Sequence, residues 1–167
     1  LVHPVTRAMY HVSAPPSQTI PAAALRRPNG EPGVDVEYFA GTSFEKSAGR
    51  LVDSTIDHTW PGPPLANPPA RLAGLENFSG RWQGTITAPE DGEHEIGVEG
   101  DDGFRLWLDG KLVVEDWTNA APRYRSANIT LRKGQRVAFK IDYFQGAAGR
   151  KLRLGWRTPS ERRDCRR

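Results

Sequence analysis

From Phe78 to Trp156 the chain alternates apolar and polar residues at a period of two, with turn residues recurring about every ten positions. Successive side chains of a strand point to opposite faces, so this rhythm describes half-buried strands and no helix. Trp82, Gly84 and Ile86 alternate with Arg81, Gln83 and Thr85, and His94, Ile96 and Val98 with Glu93, Glu95 and Glu99. Phe104, Leu106 and Leu108 oppose Arg105, Trp107 and Asp109, and Leu152, Leu154 and Trp156 make the last strand. An earlier strand sets Val34, Val36 and Tyr38 against Asp35 and Glu37. Three turns punctuate the pattern. Glu90-Asp91-Gly92 reverses the chain, and Asp109-Gly110 is a two-residue hairpin turn, whose residues must both tolerate positive φ. Lys133-Gly134 is expected to join residues 127–131 and 137–143 in a third hairpin. The sum is an all-β fold, an antiparallel sandwich or barrel.

The 167 residues suit one domain. Residues 1–32, with Ala14-Pro15-Pro16-Ser17 and Arg26-Arg27-Pro28-Asn29-Gly30, read as a linker or N-terminal extension, residues 33–158 as the β-domain, and residues 159–167 as a basic tail. Between the first strand and Asn77 the chain reads as loop, because Trp60-Pro61-Gly62-Pro63-Pro64 and Asn67-Pro68-Pro69 cannot sit in a central strand. No apolar run reaches the roughly 18 residues a membrane helix needs, so no membrane insertion is expected. Leu1 opens the chain without an initiator Met or the layout of a signal peptide, which reads as a fragment of something longer. Cys165 stands alone, which excludes an internal disulfide and a cysteine-built zinc site. From position 150 onward eight Lys and Arg face Glu161 and Asp164, a local +6 within a total of +3, so the rest carries −3. With no basic stripe on the body, the tail reads as solvated linker, and nucleic acid is not an expected partner.

The ordered set Val34-Asp35-Val36-Glu37-Tyr38-Phe39, Arg50-Leu51-Val52-Asp53, Asn77-Phe78-Ser79-Gly80-Arg81-Trp82-Gln83-Gly84, Gly100-Asp101-Asp102-Gly103-Phe104-Arg105-Leu106-Trp107-Leu108-Asp109-Gly110, Val114-Glu115-Asp116-Trp117, Tyr143-Phe144 and Leu152-Arg153-Leu154-Gly155-Trp156 resembles the protective-antigen-type (PA14) domains. The resemblance implies a β-sandwich-like barrel found in glycosidases, glycosyltransferases, adhesins and toxins, often as a sugar-binding module. Ile20-Pro21-Ala22-Ala23-Ala24-Leu25-Arg26 also looks like the lead into such domains inserted in family 3 glycoside hydrolases.

Asp101 and Asp102 are the first candidate site. Adjacent carboxylates at the start of a strand offer several oxygens to one point, which suits a hard cation such as Ca²⁺, and a cation relieves their mutual repulsion. Asp-Asp-Gly is also ordinary turn chemistry, with carboxylates accepting from nearby backbone N–H groups. In the yeast adhesin members of the family, adjacent aspartates joined by a cis peptide hold calcium that binds sugar hydroxyls, and an Asn before the final strand completes the site. Here that loop reads Phe144-Gln145-Gly146-Ala147-Ala148-Gly149, with Gln145 as the available carbonyl donor. Trp117, Thr118 and Asn119 pair an indole that can stack on a sugar with an amide that bonds hydroxyls; the other reading makes Trp117 a plug at the barrel end. Trp60 reads as a lid or plug, and Trp82, Trp107 and Trp156 as core or half-buried residues. The four histidines show no zinc spacing.

No nucleophile elbow, phosphate loop or singled-out carboxylate pair is present, so the domain is not expected to be an enzyme. The expectation is a carbohydrate-binding module with Ca²⁺ as cofactor and sugar contacts from Asp101, Asp102, Trp117, Asn119 and Gln145. Its partners would be a glycan or oligosaccharide and other domains of the parent chain, in a secreted, periplasmic or cell-surface setting. The alternative is a structural or assembly domain without sugar affinity.

Overall fold

Every second side chain of the patterned runs turns inward, as the alternation requires. The computed structural model describes residues 15–16, 18–59, 77–146 and 151–164. In chain order the strands are β1 (Leu25–Arg26), β2 (Val34–Ala40), β3 (Lys46–Asp53), β4 (Asp57–Thr59), β5 (Phe78–Thr87), β6 (Gly92–Asp101), β7 (Gly103–Leu108), β8 (Lys111–Asp116), β9 (Arg123–Leu131), β10 (Arg136–Gln145) and β11 (Lys151–Arg157). A short helix, α1 (Pro159–Asp164), follows. A 7-stranded sheet has the order β3-β2-β5-β10-β7-β8, with β1 also on β5, and a 4-stranded sheet has the order β4-β11-β6-β9. All the ladders are antiparallel.

The core lies between the sheets. Trp82, Ile86, Leu106 and Ile141 of one sheet face Ile96, Val98, Leu152, Leu154 and Trp156 of the other, all at most 2 % exposed. Each fully buried aliphatic or Phe side chain contributes roughly 1.5–3 kcal/mol relative to leaving it in water. Tyr38, Phe78, Trp82 and Tyr143 form a connected aromatic cluster inside, with Tyr38 and Trp82 edge-on at 5.6 Å.

The structure changes the expected connectivity. Of the three expected turns only Asp109-Gly110 closes a hairpin, between β7 and β8, where both residues have positive φ (48° and 80°). Glu90-Asp91-Gly92 and Lys133-Gly134 instead carry the chain across from one sheet to the other. β6 therefore pairs with β9 and β11, and β10 with β5 and β7. The stretch read as loop before Asn77 contains β3 and β4, both at sheet edges. β3 is mostly exposed, which hides the alternation by which a strand is recognised. Trp60 lies outside the described residues.

The segment expected to be a linker is partly built into the fold. Ile20 and Leu25 are fully buried, and β1 pairs with β5 beyond the point where β2 stops. Thr19 bridges Gly155 in antiparallel sense. Ile20 N donates to Leu154 O at 3.0 Å, and the Trp156 indole N–H donates to Gln18 Oε1 at 2.9 Å. The C-terminal basic run is likewise not simply solvated. Lys151 pairs with Glu99, Arg157 with Glu95 and Arg162 with Glu93, so the acidic face of β6 offsets part of its charge. Helix α1 is docked by Ser160, whose N and Oγ both donate to the Glu90 carboxylate at 2.6 Å.

One row of the outer face of the larger sheet reads Arg50, Glu37, Arg81, Asp142, Arg105, Glu115 across six neighbouring strands. The signs alternate, so every charge faces an opposite one. Arg81 bonds Asp142 through Nε at 2.8 Å, and Arg105 bonds Glu115 at 2.7 Å.

Candidate functional site

β6 ends in the smaller sheet at Asp101, and β7 begins in the larger sheet at Gly103. Asp101 and Asp102 are therefore the corner at which the chain passes between sheets. A cis peptide bond joins them. Both are nearly buried, at 5 % and 4 % exposure. Burial, then the hydrogen bond and charge of Asp102, push the Asp101 carboxyl up to about 6, against a lowering pull from Arg123.

Three other segments meet this corner. From the end of β10, the Tyr143 hydroxyl donates to the Asp101 carbonyl and lies 3.1 Å from Gln145 Oε1. Just beyond β10, Gly146 N donates to Asp102 Oδ2 at 2.7 Å. From the connection between β8 and β9, Asn119 reaches the same place. A Cβ placed on Gly146 would lie 3.0 Å from Asn119 Oδ1 and 3.3 Å from Asp102 Oδ2. The two oxygens thus flank one narrow gap at Gly146, too tight for an unstrained methyl group.

The sequence candidates separate accordingly. Asp101, Asp102 and Asn119 come together. Gln145 does not face the gap: it is fully buried as the last residue of β10, on the inner face with Tyr143, and its Oε1 is turned to the Tyr143 hydroxyl. Trp117 is engaged within the protein. Its ring lies 4.7 Å from Phe144 and stacks on Phe44 at 6.0 Å, with the Arg105 guanidinium 4.0 Å over it. Thr118 Oγ1 donates to Asp116 Oδ1 at 2.8 Å and shapes the loop. Ala147, Ala148 and Gly149 lie outside the described residues.

Sequence reasoning missed Arg123, Tyr143 and Gly146. Tyr143 carried a weak signal as an inward residue of its strand; Arg123 and Gly146 carried none. Arg123 donates through Nε to Asp116 Oδ2 at 2.6 Å and through Nη1 to Asp102 O at 2.9 Å, and its fork holds the Asp116 carboxyl below the usual carboxylate range.

As a cation site the corner offers two carboxylates and an amide oxygen, all hard oxygen donors. Among the described residues no group of three or more His, Cys, Asp or Glu is placed to hold a metal. Ca²⁺ takes 6–8 oxygens, so the residues present fit it as a partial shell whose remaining positions fall to water or a ligand.

Residues 30–164 match the PA14 domain. The chain belongs to the PA14 family. The PA14 domain described here is 27% identical over 132 residues to the anti-sigma-I factor RsgI3 of Acetivibrio thermocellus, spanning 79% of this chain and 20% of that protein. It is 29% identical over 120 residues to a beta-glucosidase of Rhizobium radiobacter, spanning 65% of this chain and 14% of the relative. The chain thus spans a fifth or less of these curated relatives. Among solved structures, an anti-sigma factor domain-containing protein superposes with a TM-score of 0.70 at 26% identity, over 77% of this chain and 44% of that one. A PA14 sugar-binding domain from an RTX adhesin shares the fold, with a TM-score of 0.59 at 18% identity over 75% and 89% of the two chains. Among the described residues no helix is long and apolar enough to cross a membrane.

Proposed function

We propose that this PA14 domain is a non-catalytic carbohydrate-binding accessory module of a larger secreted, periplasmic or cell-surface protein, with its ligand held at the Asp101-Asp102 corner through Ca²⁺. The observation that carries the reading is the meeting of two nearly buried carboxylates with the Asn119 amide beside Gly146. Burying carboxylates is costly unless they are paired or coordinate an ion, and the raised Asp101 pKa is the mark of that cost. Ca²⁺, when bound, supplies the compensating charge and coordination positions for neighbouring hydroxyls of a sugar. Asp101, Asp102 and Asn119 would hold it. Gln145 and Tyr143 support the pair from inside, and Trp117 anchors the start of the loop that carries Asn119 against Phe144 and Phe44. The sugar-binding PA14 domain among the structural neighbours and the beta-glucosidase among the relatives support the same setting.

The test is calorimetric titration of Ca²⁺ into the chelator-stripped domain and into Asp101→Ala/Asp102→Ala, followed by a glycan screen with and without the ion. Saturable binding lost in the double variant, with glycan binding that depends on Ca²⁺, supports the proposal. Absence of both overturns it.

A second reading, a structural or assembly module, is favoured by one observation. Gly146 N already satisfies Asp102 Oδ2, which is what a carboxylate serving only the turn would show. That reading expects no glycan binding under either condition.

A further inference from the structure

Residues 117–122, which carry Asn119, lie between β8 and β9 and belong to no strand ladder. Among the described residues, no turn or loop backbone–backbone hydrogen bond starts or ends in them either. Their shape therefore depends on side chains, and one side chain supplies most of the bonds. The Arg123 side chain is 14% exposed. Nε donates to Asp116 Oδ2 at 2.6 Å, and Nη2 to Asp116 O at 3.0 Å, Thr118 Oγ1 at 3.0 Å and Thr118 O at 3.4 Å. Nη1 donates to Asp102 O at 2.9 Å, with Ala121 O at 3.4 Å and Ala120 O at 3.5 Å. The guanidinium also sits 5.0 Å over the Phe104 ring. One planar group thus joins the aspartate corner, the end of β8 and the loop between.

We propose that Arg123 is the positioning residue of this site: its fork pins the 116–121 loop to the Asp102 backbone and so sets Asn119 Oδ1 opposite Asp102 Oδ2. The inference rests on the binding reading above and adds the element that assembles the site. Arginine has five N–H donors in a fixed geometry, whereas a lysine ammonium is a point charge that cannot span Asp102, Asp116 and Thr118 at once. Groups that orient ligating residues typically change metal affinity by about 10–100-fold when removed.

The experiment compares the whole domain with Arg123→Gln and Arg123→Lys, and with Asn119→Ala as a reference for loss of the amide alone. Calcium affinity is measured by titration, and the backbone order of residues 117–121 by heteronuclear NOE together with the shifts of the Asn119 and Gly146 amides by NMR. The expected result is an affinity loss of roughly tenfold or more in both Arg123 variants, with lower backbone order across 117–121 and unchanged hydrogen-exchange protection in β5 and β10. Failure of Lys to rescue assigns the role to the fork and not to the charge. Asp116→Asn, which removes one anchor and leaves Arg123, loosens the loop by a milder route if the Arg123 variants fold poorly. Binding within about twofold of the parent in Arg123→Lys, or unchanged backbone order over 117–121, overturns the inference. If the parent itself takes no Ca²⁺, the proposed function fails separately. Loop order and the two amide shifts then still decide the role of Arg123, and unchanged values in both variants overturn it.

Discussion

The Trp82 indole N–H donates to Asp53 Oδ2 at 2.9 Å, and the same oxygen lies 2.8 Å from His58 Nε2. Asp53 closes β3 and Trp82 is central in β5, both in the larger sheet, while His58 lies on β4 in the smaller one. One carboxylate therefore clasps the two sheets along an edge. Asp53→Ala leaves the indole of a fully buried tryptophan without its acceptor and is expected to cost about 1–3 kcal/mol. Asp53→Asn keeps an acceptor and costs less. Urea midpoints followed by tryptophan fluorescence give the ranking, and an Asp53→Ala midpoint equal to that of the parent would refute the clasp.

At the aspartate corner, function and stability pull apart. The Asp101 carboxyl sits at about 6 in the fold, above its ordinary 3.8. The folded state thus holds that proton more tightly than the unfolded chain. The resulting stability is full below the ordinary value and is lost as pH rises through about 6. Without Ca²⁺, Asp101→Asn should therefore melt higher than the parent near neutrality, with about 2–4 °C expected for each kcal/mol gained. The advantage shrinks as pH falls below about 6. With Ca²⁺ the order should reverse, because only the parent gains from the ion. Thermal melts in chelator and in calcium distinguish these outcomes, and a variant that melts lower in both would contradict them.

His94 shows the opposite sign. It is fully buried on β6, Nδ1 donates to Gly92 O at 3.0 Å, Nε2 has no partner among the described residues, and burial pushes its pKa below 6.5. The fold prefers the neutral ring, so its contribution is complete above about 6.5 and is lost as pH falls below that value. His94→Leu should flatten the acid side of the stability profile. Measuring both in an Asp101→Asn background removes the competing effect of Asp101. An unchanged slope would mean that another group carries the acid sensitivity.

Gly103 is required by contact. A Cβ there would lie 2.0 Å from Phe144 Cε1 and 2.6 Å from Cδ1, and that ring backs Trp117. Gly103→Ala is expected to destabilise the domain by about 1–3 kcal/mol and to alter the near-UV circular dichroism of the Trp117 stack. A spectrum and midpoint matching the parent would show that Phe144 yields freely.

The strands with one wet and one dry face could be read from the sequence, because burial writes the period directly into residues such as Phe104, Leu106 and Leu108. Strand β3 could not, since an edge strand exposed on most positions has no apolar face to display. Turn chemistry located Lys133-Gly134 correctly but not its partners; a tight turn reverses the chain whether the next strand joins the same sheet or the opposite one. At the site, the aspartate pair was visible as adjacent carboxylates. Asn119 was visible as a residue type, but its approach to Asp102 depends on the long reach of Arg123, which leaves no local signature. Gln145 reads as a loop residue, but β10 continues two residues past Tyr143 and the same alternation places its side chain on the buried face.

The pairing of residues 18–20 with 154–156 has a mechanical consequence. The two segments are antiparallel, so the flanks before Gln18 and after Trp156 depart from the same end of the sandwich. Asp101 faces Lys151, at the other end of the β6–β11 ladder from Arg157 and Glu95, six residues or about 20 Å away at the usual strand rise. A pull on the two flanks is therefore taken first by the docked α1 and then by the short bridge at their neck, which opens bond by bond like a zip. The aspartate corner lies at the far end, outside the line of force, and keeps its shape until the neck has parted.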